Sequence, residues 1–228
     1  MADCYFTPLT FEFLLALAEN NRREWFEEHR DQYEERIRTP ALNFIDDMSH
    51  DLAMISPHFL AVPKKMGGSL MRIHRDVRFG KDKRPYKTNI GIQFRHETAK
   101  DVHAPGYYLH IEPGSCFIGV GIWRPDSLAL GKIRDAIVEK SDAWLAARDD
   151  RVFSKKFKLE GDRLKNPPRG YTKDHPLIEE LKRKDFIAIS SISDKAITNK
   201  TMRPKVIEAY RQATPLMKFL CKALGLRY

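Results

Sequence analysis

Hydrophobic residues recur every three or four positions through the first 55 residues, the spacing of helices that bury one face. The pattern predicts a short helix that is capped by Thr10 and ends at Asn20-Asn21, followed by a longer helical series. Asn21 and Glu24 have capping-box spacing at the start of that series, and Pro40 predicts a kink or two successive helices within it. The expected core-facing residues are Phe11, Leu14, Leu15, Ala18, Phe26, the stem of Arg30, Tyr33, Ile37, Ala41, Phe44, Met48, Leu52 and Ile55.

After residue 57 the pattern changes to a period of two, which is typical of strands with one buried face. Residues 71–74, 90–95 and 107–112 alternate apolar and polar side chains, and 117–123 is a continuous apolar run. Together they predict an antiparallel meander with the last run as its buried central strand. Gly119 and Gly121 form a G-x-G inside that run with no helix opening after it, so they indicate close strand packing rather than dinucleotide binding.

The C-terminal half predicts a helix that begins at 125–127, a short helix around Trp144, an ordered long loop over 151–176 and a strand from Phe186 to Ile192. A final helix is expected to bend at Pro215. We therefore expect one α+β domain over residues 1–228, with an antiparallel sheet packed against an N-terminal helical layer and a C-terminal helix. Its parts are a helical layer (1–63), a sheet with a basic loop (64–125), and helices, a long loop and one further strand (126–228).

Charge is distributed unevenly along the 228 residues, whose formal net charge is +9. The first 63 residues carry a net charge of −7, whereas 64–87 carry +7 and 151–173 carry +6. No apolar stretch is long enough for a transmembrane helix, and the N-terminus has no secretory pattern. Three widely spaced cysteines fit reduced thiols, so we expect a cytoplasmic protein.

The most basic segment reads RIHRDVRFGKDKRPYKT from Arg72 to Thr88 and contains residues that permit a turn, Gly80 and Pro85. Convergent guanidinium and ammonium groups suit phosphate or carboxylate, because arginine offers a bidentate fork and lysine a point charge. Asp76 and Asp82 are expected to orient the cations. The alternative is a solvated basic hairpin. The candidate anion-binding residues here are Arg72, Arg75, Arg78, Lys83, Tyr86 and Lys87.

These residues also carry a resemblance. The run RDVRFGKDKRPYKT resembles the signature of a bacterial and fungal family, domain of unknown function 2461 (DUF2461). FEFLLALAENNRREWFEEHR is similar to the opening helices of that family, YYLHIEPG and GVGIWRP to its central strands, and LKNPPRGYTKDHPLIEELKRKDF to its later loop. The resemblance implies an α+β fold and a cytosolic protein, and it implies no established activity.

Two further groups of residues could contribute chemistry. Arg169 could complete the anion site, and Asp174-His175 could form an acid–base pair, although Asp174 could instead cap a helix that begins at Pro176. Glu112 is the best general-base candidate, with His110 as its neighbour, and both share a strand face with Tyr108. The histidine and carboxylate spacings match no metal motif, so we expect no metal site and no cofactor.

Three functions are compatible with these features. The first is a site for a phosphate-bearing or other anionic small molecule, with or without catalysis. The second is a nucleic-acid-binding module in which the segments 64–87 and 151–173 line a groove, with Phe79, Tyr86 and Tyr171 for stacking. The third is a protein-interaction module in which the basic face docks the acidic layer of another copy or a partner.

Overall fold

The fold is described by a computed structural model, which covers residues 4–78, 80–98 and 104–228. The helices are α1 (Pro8–Glu19), α2 (Arg23–Glu28), α3 (Arg30–Tyr33), α4 (Thr39–Ile55), α5 (Ser127–Glu139), α6 (Ser141–Arg148), α7 (Arg151–Lys156), α8 (Ile178–Leu181), α9 (Asp194–Ile197), α10 (Met202–Gln212) and α11 (Thr214–Ala223). The strands are β1 (Phe59–Leu60), β2 (Ile90–His96), β3 (Gly106–Ile111), β4 (Phe117–Ile122), β5 (Lys158–Glu160) and β6 (Phe186–Ser191).

The six strands form one antiparallel sheet in the order β1-β2-β3-β4-β6-β5. The meander β2-β3-β4 and the inner position of β4 confirm the prediction. One face of the sheet packs against helices, as shown by the rings of Phe94 and Tyr107 against Tyr210 of α10 and the ring of Phe186 against Trp144 of α6. The fold is therefore α+β, with the sheet packed against an N-terminal helical layer and C-terminal helices.

Gly121, the second glycine of the G-x-G in β4, is required by the close approach of the adjacent strand. Its φ is 109°, and a Cβ atom there would lie 2.1 Å from the carbonyl oxygen of Phe186 on β6. Only glycine allows β4 and β6 to approach this closely. At Gly119 a Cβ would make ordinary contacts of 3.5 Å with Tyr108, so this glycine is less demanding.

The start of α1 differs from the prediction. Thr7, not Thr10, is the N-cap, and the Thr7 N–H donates to the Thr10 hydroxyl at 3.2 Å. Thr10 occupies the third helical position, where a short polar side chain can satisfy the free N–H of the cap. Phe11 and Leu14 are buried as expected, whereas Leu15 and Ala18 are exposed and Phe13 and Leu17 replace them in the core.

The second helical series is interrupted around Pro40, as predicted. A π-helical turn over 34–38 joins α3 to α4, and Pro40 lies in the first turn of α4. Proline has no N–H to donate to the carbonyl oxygen of Arg36, which accepts instead from the Thr10 hydroxyl at 3.0 Å. The predicted capping box of Asn21 and Glu24 is wrong, because Arg22 is the N-cap of α2 and no side chain caps that helix. Arg30 is exposed rather than core-facing.

The segment 151–176 is not the single long loop that was predicted. Asp150 caps α7 by accepting hydrogen bonds from the N–H groups of Val152 and Phe153, and the chain then adds β5 to the sheet edge beside β6. Both elements are short, so neither shows a readable period in the sequence. The helix expected at Pro176 begins at Ile178 instead, with Leu177 as its cap, so Asp174 caps nothing there.

Two other boundaries differ from the expectation. The predicted final helix is two helices, α10 and α11. Pro215 lies at the start of α11, so it marks the break between two helices and does not bend a single one. Residues 71–74 form no strand; isolated bridges on either side of Met71–Ile73 pair Leu70 with Ile92 and His74 with Tyr86. In the described part of the chain, no helix combines the length and apolarity needed to cross a bilayer.

The sheet face that points away from the helices positions the candidate site, and we call it the open face. Its non-glycine residues are partly exposed, whereas the residues on the opposite face of the same strands are buried. The open face comprises Gly91, Gln93, Arg95, Tyr108, His110, Phe117, Gly119, Ile187 and Ile189.

Candidate functional site

Tyr108, His110 and Glu112 form a hydrogen-bonded row along β3 and the residue after it. The Tyr108 hydroxyl lies 3.1 Å from Nδ1 of His110, and Nε2 of His110 lies 3.1 Å from Oε2 of Glu112. The row follows from the two-residue period of a strand, which aligns alternate side chains on one face. The structure thus joins, by hydrogen bonds, the three residues that were predicted to share this strand face, including the general-base candidate Glu112 and its neighbour His110.

The chain just before β2 and the strand β4 fix the imidazole of His110. The side-chain amide nitrogen of Asn89 lies 3.4 Å from Nδ1 of His110, and the ring of Phe117 on β4 stacks on the imidazole at 4.5 Å with an interplanar angle of 13°. Because an amide nitrogen can only donate, Nδ1 accepts and the ring proton is on Nε2, which donates to Glu112. The Thr88 hydroxyl donates to the other oxygen of Glu112 at 3.5 Å.

Tyr108 is a protonated hydrogen-bond partner in this row. Burial, and after it the charge of Glu112, raises the pKa of Tyr108 to about 12, so its hydroxyl keeps its proton at neutral pH. The hydroxyl lies above Gly91, where a Cβ would come within 2.8 Å of it. Gly91 therefore provides the space that lets the tyrosine reach His110.

Residues 72–87, which we call the basic hairpin, contain most of the predicted anion-binding residues. Nη1 of Arg75 lies 2.6 Å from Oδ2 of Asp82, and Arg84 also pairs with Asp82. Arg78 binds both oxygens of Asp76, at 2.9 and 2.7 Å. These hydrogen bonds hold the pKa of both carboxyl groups well below its usual range. Asp76 and Asp82 thus contact the cations they were predicted to orient.

Lys83 and Tyr86 have structural partners within this region. Nζ of Lys83 donates to the carbonyl oxygen of Val77 at 2.9 Å, and the ring of Tyr86 is buried and stacks on Phe26 of α2 at 4.2 Å. Asn21 holds the backbone of Tyr86 with two hydrogen bonds of 3.0 Å, one in each direction. This is the role of the asparagine that was expected to cap α2. Phe79, a predicted stacking residue, lies outside the described residues.

Arg72 and Lys87 differ from the three arginines of the hairpin that pair with Asp76 and Asp82. Within the described residues, neither forms an ion pair with a carboxylate, whereas Arg75, Arg78 and Arg84 each do. Lys87 is partly buried, and desolvation together with the charge of Arg72 lowers its pKa. Arg72 is exposed and also contributes to the lowered pKa of the Asp76 carboxyl group.

The second basic segment lies elsewhere on the fold. Residues 158–160 form the edge strand β5, at the opposite side of the sheet from the chain that runs beside β2. Arg169 is exposed in the loop after β5, and Tyr171 ties that loop to α5 by donating to Asp135 at 2.7 Å. Nδ1 of His175 accepts from the N–H of Leu177, so it takes part in a local turn.

No group of three or more His, Cys, Asp or Glu residues in the described ranges is arranged to hold a metal ion. Two shallow depressions occur in the surface away from the row and the hairpin. One is lined by residues that include Tyr5, Asp46 and Asp47, and the other by residues of α7 together with Gln212.

The model of a family described as conserved hypothetical protein (DUF2461) matches residues 9–219 of the 228. The chain belongs to the DUF2461 family. No curated protein and no solved structure gives a significant match. The matched range includes the whole of the basic hairpin and of the Tyr108–Glu112 row. Both clusters therefore lie in the part of the chain that the DUF2461 family model matches.

Several residues of these two clusters were missed by reasoning from the sequence. Thr88, Asn89 and Phe117 contact the row from β4 and from the chain that leads into β2, and their places follow from the register that pairs Ile90 with Ile111. Alternation predicts which strand residues share a face but not which strands are adjacent. Asn21 is 65 residues from Tyr86, and no local signal links the two.

Proposed function

We propose that the chain binds a small phosphate-bearing or other anionic ligand through Arg72 and Lys87 of the basic hairpin. The observation that supports it is a partly buried ammonium group near a guanidinium group, with no carboxylate of the described residues within ion-pair distance of either. Burial and like charge both disfavour the charged form of Lys87. An oxyanion between the two groups would relieve both effects and would accept charge-assisted hydrogen bonds from each.

The other residues that were predicted to bind an anion contribute less in this proposal. Arg75 and Arg78 already share their charge with Asp82 and Asp76, so a phosphate would compete with those carboxylates for them. The two aspartates offset part of the positive charge of the hairpin. Arg169 belongs to a separate loop, and its participation remains a prediction.

A thermal-shift screen of inorganic phosphate, sugar phosphates and nucleotides tests the proposal. We expect at least one of these compounds to raise the melting temperature of the wild type, because a ligand that binds only the native state stabilises it. Arg72→Ala and Lys87→Met should each remove the shift. Lys64→Ala removes an exposed lysine from the same charged segment and should keep it.

Two results would reject the proposal. One is that no anionic compound changes the melting temperature of the wild type. The other is that Lys64→Ala loses the shift as fully as Lys87→Met, because general attraction by the segment would then explain the binding.

We also infer a reducing, cytoplasmic environment for the protein. Cys4, Cys116 and Cys221 are all free thiols, and Cys116 and Cys221 are buried. Burial raises the pKa of both buried thiols to about 12, so they stay protonated and unreactive. Free thiols of this kind are typical of cytosolic chains. Fractionation of the native cells with a cytosolic marker would test this inference.

A further inference from the structure

The row of Tyr108, His110 and Glu112 is a second cluster, separate from the cations of the basic hairpin. The exposed fractions of its His110 and Glu112 side chains are 14% and 38%, so the carboxylate is the more accessible end. Hydrogen bonds between partly exposed groups add little net stability, and β-branched residues would suit strand positions at least as well. A sheet alone therefore does not require this chain of polar groups.

The two oxygens of Glu112 have different environments. Oε2 is held by the Nε2–H of His110 at 3.1 Å, whereas the one hydrogen-bond partner of Oε1 among the described residues is the Thr88 hydroxyl at 3.5 Å, the outer limit of a hydrogen bond. Oε1 is thus weakly engaged and lies at the accessible end of the row. Such an oxygen can accept a proton while the other oxygen keeps the carboxylate in place.

The remaining contacts orient the base. The Asn89 amide donates to Nδ1 of His110, which leaves the ring proton on the side of Glu112, and the stacked ring of Phe117 limits rotation of the imidazole. A histidine held between a donor and a carboxylate is the usual arrangement for fixing one tautomer. The half-buried Phe117 also provides apolar surface for a ligand beside the carboxylate.

We propose that Glu112 is a general base on the open face, positioned by His110, and that it activates water or a ligand hydroxyl beside a small ligand with an apolar, planar part. This proposal does not depend on anion binding by Arg72 and Lys87.

An activated ester is a suitable probe of this step. Oε1 of Glu112 takes a proton from water as the water oxygen forms a bond to the acyl carbon. The bond from that carbon to the leaving oxygen then breaks, and the leaving group departs with the electron pair as a phenolate. Glu112 finally returns its proton to solvent. His110 keeps its Nε2–H throughout and is a positioning residue.

Hydrolysis of p-nitrophenyl acetate by the full chain tests the proposal. We expect the wild type to exceed the buffer rate, Glu112→Gln to lower the excess by about tenfold or more, and the reaction to be slower in D₂O because a proton moves in the rate-limiting step. His50→Asn alters an exposed histidine of α4 and serves as the matched control, with an unchanged rate. Equal excess rates in Glu112→Gln and His50→Asn would reject the proposal, as would the absence of any excess in the wild type.

The role of His110 has its own readouts. His110→Gln keeps an N–H donor near the carboxylate and should retain more activity than His110→Ala, with melting temperatures showing that both variants fold. Nitrogen-15 spectra of the imidazole should show the proton on Nε2 in the wild type, and Asn89→Ala should weaken that preference. A proton on Nδ1 in the wild type would overturn the assignment.

The pH dependence of the rate supports the same test. The titratable groups that face His110 are Tyr108 and Glu112 on its own strand, whereas the facing contacts from the adjacent chain segments, Asn89 and Phe117, do not titrate. The pH profile of the wild type should differ from that of Glu112→Gln, because only the wild type carries a carboxylate at this position. An identical pH dependence in both proteins would count against Glu112 as the base.

Discussion

Lys87 is a side chain whose surroundings disfavour its own charge. Its ammonium group is partly buried, lies near the positive charge of Arg72 and has no carboxylate partner in the described residues. Each of these conditions disfavours a cation in the absence of a ligand. Sites that are optimised for a ligand are often suboptimal for the free protein, and replacements there can stabilise the fold.

We therefore expect Lys87→Met to raise the melting temperature of the ligand-free protein by about 2–4 °C, the size of an increment of roughly 1 kcal/mol in a chain of this length. The pKa of Lys87 is lower in the folded state than in the unfolded state. At pH values between the folded pKa and the unfolded pKa of about 10.4, the unfolded state therefore binds more protons than the folded state. Wild-type stability rises with pH in that window, and the advantage of the variant should shrink there. Chemical unfolding of both proteins between neutral and alkaline pH measures the difference. A lower melting temperature for the variant at neutral pH would contradict this account of Lys87.

At the scale of elements, the basic hairpin is attached to the N-terminal helices through Asn21. The asparagine side chain imitates a strand neighbour, because it accepts from the N–H of Tyr86 and donates to its carbonyl oxygen. The stacking of Tyr86 on Phe26 adds an apolar contact at the same point. The order of the hairpin therefore depends on the link between α1 and α2.

We expect Asn21→Ala to destabilise the hairpin by about 1–3 kcal/mol, because two hydrogen bonds are lost at a partly buried site. Trypsin, which cleaves after arginine and lysine, should cut within 72–87 faster in this variant. Asn20→Ala removes one intrahelical hydrogen bond at the end of α1 and is the matched control, with little change in hairpin cleavage. Equal cleavage in Asn21→Ala and in the wild type would show that Asn21 does not hold the hairpin.

On the scale of the whole molecule, charges of opposite sign are neighbours within one chain. Nζ of Lys65 lies 4.0 Å from Oε2 of Glu34 in the acidic N-terminal region, so part of the positive charge of the segment 64–87 is offset within the chain. The two basic segments are separated by the sheet. Five interstrand steps of about 4.8 Å place β5 about 24 Å from the chain beside β2. A short ligand that spans both segments is therefore disfavoured.

This separation gives a test of the nucleic-acid alternative. Any affinity for a four-nucleotide oligothymidine should fall steeply with salt, because phosphate contacts release counterions. Because the two basic segments do not share one groove, this affinity should depend on one segment only. The pairs Lys64→Glu with Lys65→Glu and Lys155→Glu with Lys156→Glu reverse matched charges in the two regions. If both double variants abolish binding of the four-nucleotide probe, the two basic segments form one binding surface and are not separated by the sheet.

Sequence patterns alone determined much of this fold. The period of two identified the meander β2-β3-β4, and the same period placed Tyr108, His110 and Glu112 on one face, because strand alternation is a local property of the chain. Helical spacing identified α1, the helices around Pro40, and α5. Helix starts and short elements such as α7 and β5 were misjudged or missed, since a few residues carry too little periodicity to read.

Only the tertiary structure decided which side chains meet. Whether Lys87 is partly buried, whether Asn21 reaches Tyr86, and whether Phe117 stacks on His110 all depend on segments distant in sequence. It also divided the cations of the basic hairpin into those neutralised by Asp76 and Asp82 and those without a carboxylate partner in the described residues. Burial and long-range hydrogen bonds arise when loops close and layers pack, and no local pattern of residues encodes them.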